Sequence, residues 1–392
     1  MPKRDPKEPP FESEELEPVK LLNRGAWGFV WRYRQFSRAT GAVRHARTAI
    51  GYAAVKCVEV SEYTRLTLQH AFGEARAQRR GAGNPHVVAL YDVVVAEDNL
   101  IALVMEEVEG GRTLADEIDE AYRANRQFPA DLIAQWAKEI AIGLQAFHAP
   151  ARRDGERVAH RDIAPDNVLL TPDRVVKLAD MGIATVVGES GLGPSDPAPA
   201  LGRTMRMAPE QYYGDGEWGI AVDYWALGLI LFELATHTPL EHFCREKVPT
   251  MTPSPEYSRA IGDAVRRQAR QHPWMHPELR DLIAELLTDD PRIRADFARV
   301  KEAQARLAAG HAQHTGSGET SLDRGRSSVG GSVDRPTKGR GSTDRPSWIS
   351  DEELAGLQAA LGGAQTIDAS HQGAFERLVG ARRARRHMTG GE

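Results

Sequence analysis

The segment from Val158 to Leu170, VAHRDIAPDNVLL, gathers side chains able to do chemistry: Asp162 and Asn167 are separated by four residues, and an apolar, strand-like run follows. Downstream, VKLADMG places Asp180 after a second apolar run. Carboxylate and amide oxygens of this kind can orient a hydroxyl proton or hold a hard cation, although Asp and Asn also favour ordinary turns. A third candidate is Lys56 inside GYAAVKCVEV. A lysine among the apolar residues of a strand is costly to bury unless an anion pairs with it. Glu74, in the helical stretch TLQHAFGEARAQRR eighteen residues on, is available for that pairing.

These groups need elements to hold them. KLLNRGAWGFVWRYRQF predicts two strands joined by a turn at Gly25 and Gly28, and GYAAVKCVEV predicts a third strand. Two more apolar strands, with a turn at Glu97 to Asn99, lie within NPHVVALYDVVVAEDNLIALVMEEVEGGRTLADEI. DLIAQWAKEIAIGLQAFHA then carries Leu132, Ile133, Trp136, Ile140 and Leu144 at helical spacing and predicts a core helix. The chain has 392 residues, 41% of them hydrophobic, which suits one large two-lobed domain with appendages. With 50 basic and 55 acidic residues the net charge is −5, too mild to point to nucleic acid. Cys57 and Cys244 are the only cysteines, which excludes a disulfide framework and suits a reducing cytoplasm. The first residues, MPKRDPKEPPFESEELEP, lack the apolar core of a signal peptide, and the apolar run Gly219 to Thr236 carries Asp223 and Glu233, which argues for a buried helix rather than a membrane span.

In its order and spacing the chain resembles the eukaryotic-like protein kinases. His160-Arg161-Asp162 with Asn167 matches their catalytic loop H-R-D-x-x-x-x-N, and Asp180-Met181-Gly182 stands in the place of D-F-G. Asn23, Gly25, Gly28 and Val30 align with the Gly-rich loop, Ala54 and Lys56 with V-A-I-K, and Ala208-Pro209-Glu210 with the motif that closes the activation segment. AVDYWALGLILFELATHTPL is similar to the central helix of the kinase C-lobe, with Asp223 expected to hydrogen-bond the catalytic loop and Gly228 to permit close packing. Arg294 falls where the family pairs an arginine with Glu210.

The resemblance spans about Pro18 to Ala308 and implies an α+β, bilobal fold: a small β-rich N-lobe with one main helix, about 18–107, and a larger, mostly helical C-lobe, about 108–308. It implies a magnesium- and ATP-dependent transfer of the γ-phosphate to serine or threonine hydroxyls of a protein substrate. Asp162, Lys56 and Asn167 would be catalytic, with Asn167 and Asp180 holding Mg2+. Lys56, fixed by Glu74, would hold the α- and β-phosphates. Met105 would gate the adenine pocket, and Glu106 to Val108 would offer it backbone groups. A protein kinase is favoured over a small-molecule kinase by Ala208 to Glu210 and Asp223.

Several positions depart from the family pattern. Asn23 replaces the first glycine of the loop, a change an αL-tolerant residue can accommodate. Ala164 stands where serine/threonine kinases usually have a lysine that neutralises the transferring phosphate, which predicts a slow enzyme or one borrowing charge elsewhere, with Arg203 a candidate. Arg203 and Arg206 replace the Thr and Tyr of G-T-x-x-Y-x-A-P-E, and Pro165 favours the serine/threonine class. Asn23, Ala164 and Arg203 together keep open a second reading, a pseudokinase or nucleotide-binding scaffold. Arg161 before Asp162 typifies kinases ordered by a phosphate on the activation segment, and Thr185, Ser190, Ser195 and Thr204 are the acceptors, open to autophosphorylation in trans.

Outside these motifs, residues 1–17 are expected to be disordered. The connection from about Arg32 to Tyr52 holds Arg32, Arg34, Arg38, Arg44, His45 and Arg47 without an acid, either a solvated basic hairpin or a patch for an acidic partner. Residues 309–347 read as a linker rich in Gly, Ser, Asp and Arg, with the repeats Ser321 to Arg324, Ser332 to Pro336 and Ser342 to Pro346. They are spacers or phosphoacceptors. In 348–392 a short helix capped by Ser350 and Glu353 precedes an arginine-rich end, Arg377 to Arg386.

Overall fold

The computed structural model describes residues 16–25, 28–37, 48–59, 74–96, 100–150, 157–181, 185–186, 204–212, 219–249 and 252–315. Residues 316–392 of the expected linker and tail, the Arg203 position, Gly182, Ser190 and Ser195 lie outside the described residues, as do Arg38, Arg44, His45 and Arg47.

The N-terminal lobe is a five-stranded antiparallel sheet in the order β1-β2-β3-β5-β4, from β1 (Leu16–Gly25), β2 (Gly28–Ser37), β3 (Thr48–Glu59), β4 (Leu90–Ala96) and β5 (Leu100–Glu106). Alternation along β3 decides what each face does. Ala53, Val55 and Cys57 point to one side and join Leu16, Phe29, Trp31, Tyr33, Ala102 and Val104 in a closed cluster. Lys56 and Val58 point to the other, where Val58 packs with Ala75, Ile101 and Leu103 under helix α1, residues 74–80. The register Val30↔Lys56↔Leu103 and Arg32↔Ala54↔Met105 puts all six on the Lys56 face.

Two boundaries differ from expectation here. Strand β1 begins at Leu16, whose buried side chain anchors it in the sheet, so the ordered chain starts before Pro18. Strand β2 continues to Ser37, which places Arg32 and Arg34 within a paired strand rather than in a basic insertion. Arg34 faces Glu17 at 3.7 Å and Arg32 contacts Glu107 at 2.7 Å, so both have acids from elsewhere in the chain.

The C-terminal lobe is mostly helical: α2 (Leu114–Ala124), α3 (Ala130–His148), α4 (Ala221–Thr236), α5 (Leu240–Lys247), α6 (Pro255–Gln271), α7 (Pro277–Leu286) and α8 (Phe297–Thr315). Thr113 caps α2 in a reciprocal capping box with Asp116. On α3 the expected stripe is buried at Ile133, Trp136, Ile140 and Leu144, while Leu132 sits at its margin, partly buried. Helix α4 is apolar on all sides and almost wholly buried, the mark of a central helix. A Cβ at Gly228 would lie 2.9 Å from Leu286 Cβ, so glycine there is what lets α4 and α7 touch. Helix α8 packs on α3 and runs to Thr315, past the expected linker start at 309. Its run AAGHAQH keeps helix-forming residues around Gly310, and the Gly- and Ser-rich text begins only at Gly316.

Short strands carry the chemistry between the lobes. β6 (Arg112–Thr113), β8 (Val168–Leu170) and β9 (Val176–Leu178) form one small sheet, and β7 (Val158–Ala159) pairs with β10 (Thr185–Val186) in another. The 3-10 turn Pro165–Asn167 links Asp162 to β8.

Candidate active site

Strand β3, helix α1 and the end of β9 bring three charges together. Lys56 Nζ donates to Glu74 Oε1 at 2.7 Å and to Asp180 Oδ1 at 2.6 Å, although Asp180 is 124 residues away in sequence. Lys56 and Glu74 are buried. Burial opposes the charge on Lys56, but the Glu74 and Asp180 carboxylates outweigh it and hold the ammonium above its ordinary value. Burial acts the other way on Glu74, pushing its carboxyl up to about 6 against the pull of Lys56.

The catalytic-loop residues are fixed from two sides. Asn167 Nδ2 donates to Asp162 O at 2.8 Å and to Asp162 Oδ2 at 3.0 Å, and Ala179 N donates to Asn167 O at 2.9 Å. This ties the 3-10 turn to the residue before Asp180. From below, Asp223 at the start of α4 accepts from His160 N at 2.8 Å and Arg161 N at 2.7 Å, and its Oδ2 lies 2.8 Å from His148 Nε2. Burial would raise the Asp223 carboxyl, but the contact with His148 and the backbone N–H of His160 hold it below the usual carboxylate range. Arg161 (φ 66°) and Asp180 (φ 60°) adopt left-handed backbone, a cost of roughly 1–3 kcal/mol each that such anchoring sustains.

The segment from Thr204 to Glu210 is held by ion pairs. Arg294 reaches both oxygens of Glu210, as expected from the sequence, and also the Ala221 and Thr288 carbonyls. Arg206 makes a buried, two-pronged contact with Glu233, Nη1 to Oε2 at 2.7 Å and Nη2 to Oε1 at 2.8 Å. Thr204 is buried in this arrangement, so it is not an accessible phosphoacceptor here. Ala164 is also buried, and no cation stands at its position.

On the opposite wall, Val30, Ala54 and Met105 lie on the Lys56 face of the sheet, and Val108 follows β5 at the lobe junction. Glu106 is tied at its amide and its side chain: its N–H donates to Ala89 O at 2.8 Å, while its carboxylate accepts from Ala89 N and pairs with Lys177. Its amide is therefore not a donor for a base. Asn23 is exposed at the outer end of the β1–β2 hairpin, opposite Val30, and Gly25 faces Gly28 across the turn.

The donor set fits magnesium. With its NH2 group committed to Asp162, Asn167 has Oδ1 left as its ligand atom, and Asp180 adds carboxylate oxygen, the donors a hard cation takes. Among the described residues no group of three or more His, Cys, Asp or Glu could hold a metal, so this pair supplies only part of an oxygen shell and phosphate and water would complete it.

The model of the protein kinase domain matches residues 36–304. The chain belongs to the protein kinase family. It is 26% identical over 315 residues to the protein named probable serine/threonine protein kinase IREH1 of Arabidopsis thaliana, covering 72% of this chain and 21% of that one. Human Rho-associated protein kinase 1 is 29% identical over 231 residues, 57% of this chain and 15% of that protein. Aurora/IPL1-related protein kinase 2 of Caenorhabditis elegans is 26% identical over 265 residues, 67% and 77% of the two chains. The chain thus spans about a fifth or less of the first two relatives' length. No helix among the described residues of this kinase is long and apolar enough to cross a membrane.

Some residues of the kinase site were invisible to local sequence reading. His148, Arg206 and Lys177 meet Asp223, Glu233 and Glu106 across 75, 27 and 71 residues. Nothing in spacing signals such partners. The one hint was that Asp223 and Glu233 interrupt an apolar helix, and buried carboxylates require partners.

Proposed function

We propose that this kinase transfers the γ-phosphate of magnesium-bound ATP to serine or threonine hydroxyls of proteins. The observation that carries the reading is Lys56, held by Glu74 and touching Asp180, beside a loop in which Asn167 is hydrogen-bonded to Asp162. When bound, magnesium supplies charge neutralisation along the phosphates. Lys56 holds phosphate oxygens, Asp162 orients the acceptor hydroxyl and takes its proton, and Asn167 and Asp180 keep the cation in register. Pro165 and the names of the relatives support serine and threonine as acceptors.

Turnover is slow, or charge is borrowed from elsewhere with Arg203 the candidate, because the apolar Ala164 offers no charge to the transferring phosphate and Arg206 spends its guanidinium on Glu233. Activation-segment autophosphorylation in trans, a cytoplasmic location and an acidic partner for Arg38 to Arg47 belong to the same proposal. Two free, buried cysteines agree with a reducing compartment. The second reading, a pseudokinase or nucleotide-binding scaffold, is favoured by Asn23, Ala164 and Arg203. Radiolabelled ATP incubated with wild type, Asp162→Ala and Lys56→Ala decides: labelling abolished in both variants supports catalysis, and equal labelling in all three leaves the scaffold.

A further inference from the structure

The contact between Arg32 and Glu107 has no part in the chemistry above, yet it spans the edge of the cleft. Arg32 lies on β2, opposite Ala54 and two residues beyond Val30, on the face that carries Lys56. Glu107 lies just beyond β5, in the short segment between Met105 and Val108 that joins the lobes. Their atoms meet at 2.7 Å, Nε to Oε1, bridging 75 residues of chain. From the side, the Tyr52 ring holds the guanidinium at 3.8 Å, and Tyr52 itself is exposed.

Two features distinguish this contact from a locked ion pair. Arg32 Nε, itself buried, is within ion-pair distance but makes no aligned hydrogen bond. Both side chains also keep some exposure, 26% and 13%, so water can solvate them when they part. A fully buried, two-pronged pair such as Arg206–Glu233 has neither property.

We propose that Arg32 and Glu107 form a latch over the mouth of the nucleotide site that slows the exit of nucleotide. This rests on the nucleotide-binding reading above. A planar base lying under Val30 and Ala54, beside Met105, would sit next to this contact, which shares that face of the sheet and the lobe junction. Arg32 and Glu107 are thus positioning residues for nucleotide, not catalytic ones.

The test is stopped-flow release of a fluorescent ADP analogue, magnesium present, from the full chain. Arg32→Gln and Glu107→Gln are expected to speed release about three- to fivefold, the scale of a partly exposed pair. The exchange Arg32→Glu with Glu107→Arg is expected to return release to within about twofold of wild type. The difference between wild type and Arg32→Gln is expected to shrink in about 0.5 M salt, where the Debye length is only a few ångströms. Release unchanged in both single variants, with or without a lower melting temperature, overturns the latch and leaves a merely structural pair. A wild type that binds no fluorescent nucleotide overturns the nucleotide reading and the latch with it.

Discussion

The kinase holds charge in two opposite ways on the two sides of its cleft. In the C-terminal lobe, Asp223 is enclosed by backbone N–H groups and His148 at the start of a helix buried on every side. Its partners belong to one packed core, so the carboxylate cannot move without disturbing the lobe. Lys56 instead joins Glu74 of the N-terminal lobe to Asp180 at the end of β9, and the Asp180 side chain is a third exposed. The first centre is a foundation for the catalytic loop. In the proposed mechanism the second loosens and re-forms around phosphate, which the partly exposed Asp180 side chain allows.

That contrast predicts which substitutions cost stability and which cost chemistry. Asp223→Ala leaves two buried N–H groups and His148 without their acceptor and is expected to lower unfolding free energy by about 3–5 kcal/mol, read by denaturant titration. Lys56→Met is expected to reduce phosphate incorporation about a hundredfold while the melting temperature shifts little, because Glu74 can take a proton when its partner leaves. If the two variants lose stability equally, the distinction fails.

Gly228→Ala probes the foundation by packing alone. The added carbon meets Leu286 and Leu287 at 2.9 and 3.1 Å, for an expected loss of about 1–3 kcal/mol. Ala164→Lys probes the chemistry by adding the missing cation, and turnover is expected to rise about tenfold under saturating ATP. Unchanged turnover would remove the account of a slow enzyme.

The smallest effect concerns pH. Glu74 ionises near 6 in the folded kinase rather than at its ordinary 4.5, because burial outweighs Lys56. The folded state therefore takes up this proton before the unfolded state does. The stabilisation from that proton is complete below about 4.5 and is lost as pH rises through 6. Activity runs the other way, since a protonated Glu74 releases its hold on Lys56. Incorporation is expected to fall several-fold between pH 7 and 5.5, and Glu74→Gln is expected to flatten that acid limb.

Much of this was written in local order. The spacing of His160, Asp162, Asn167 and Asp180 is a property of one continuous stretch, so the loop, its turn and the strands around it were legible before any coordinates. The strand of β3 with Lys56 among apolar residues was likewise legible, and the apolar stripe of α3 named its buried residues. Misreadings arose where a boundary depends on contacts from afar. Arg32 and Arg34 looked like part of a basic loop because the acids facing them, Glu107 and Glu17, are remote in sequence.

The residue types and spacings by themselves determined the family, the two lobes and the candidate groups for the chemistry, since hydrophobic period and motif order are carried by neighbours along the chain. Only the tertiary structure decided which charges are spent and which remain free to act. Arg206 is consumed by Glu233, Arg32 closes on Glu107, and Lys56 stands between two carboxylates. Those outcomes depend on burial and on distances of a few ångströms, quantities set by the packing of segments that the linear sequence keeps far apart.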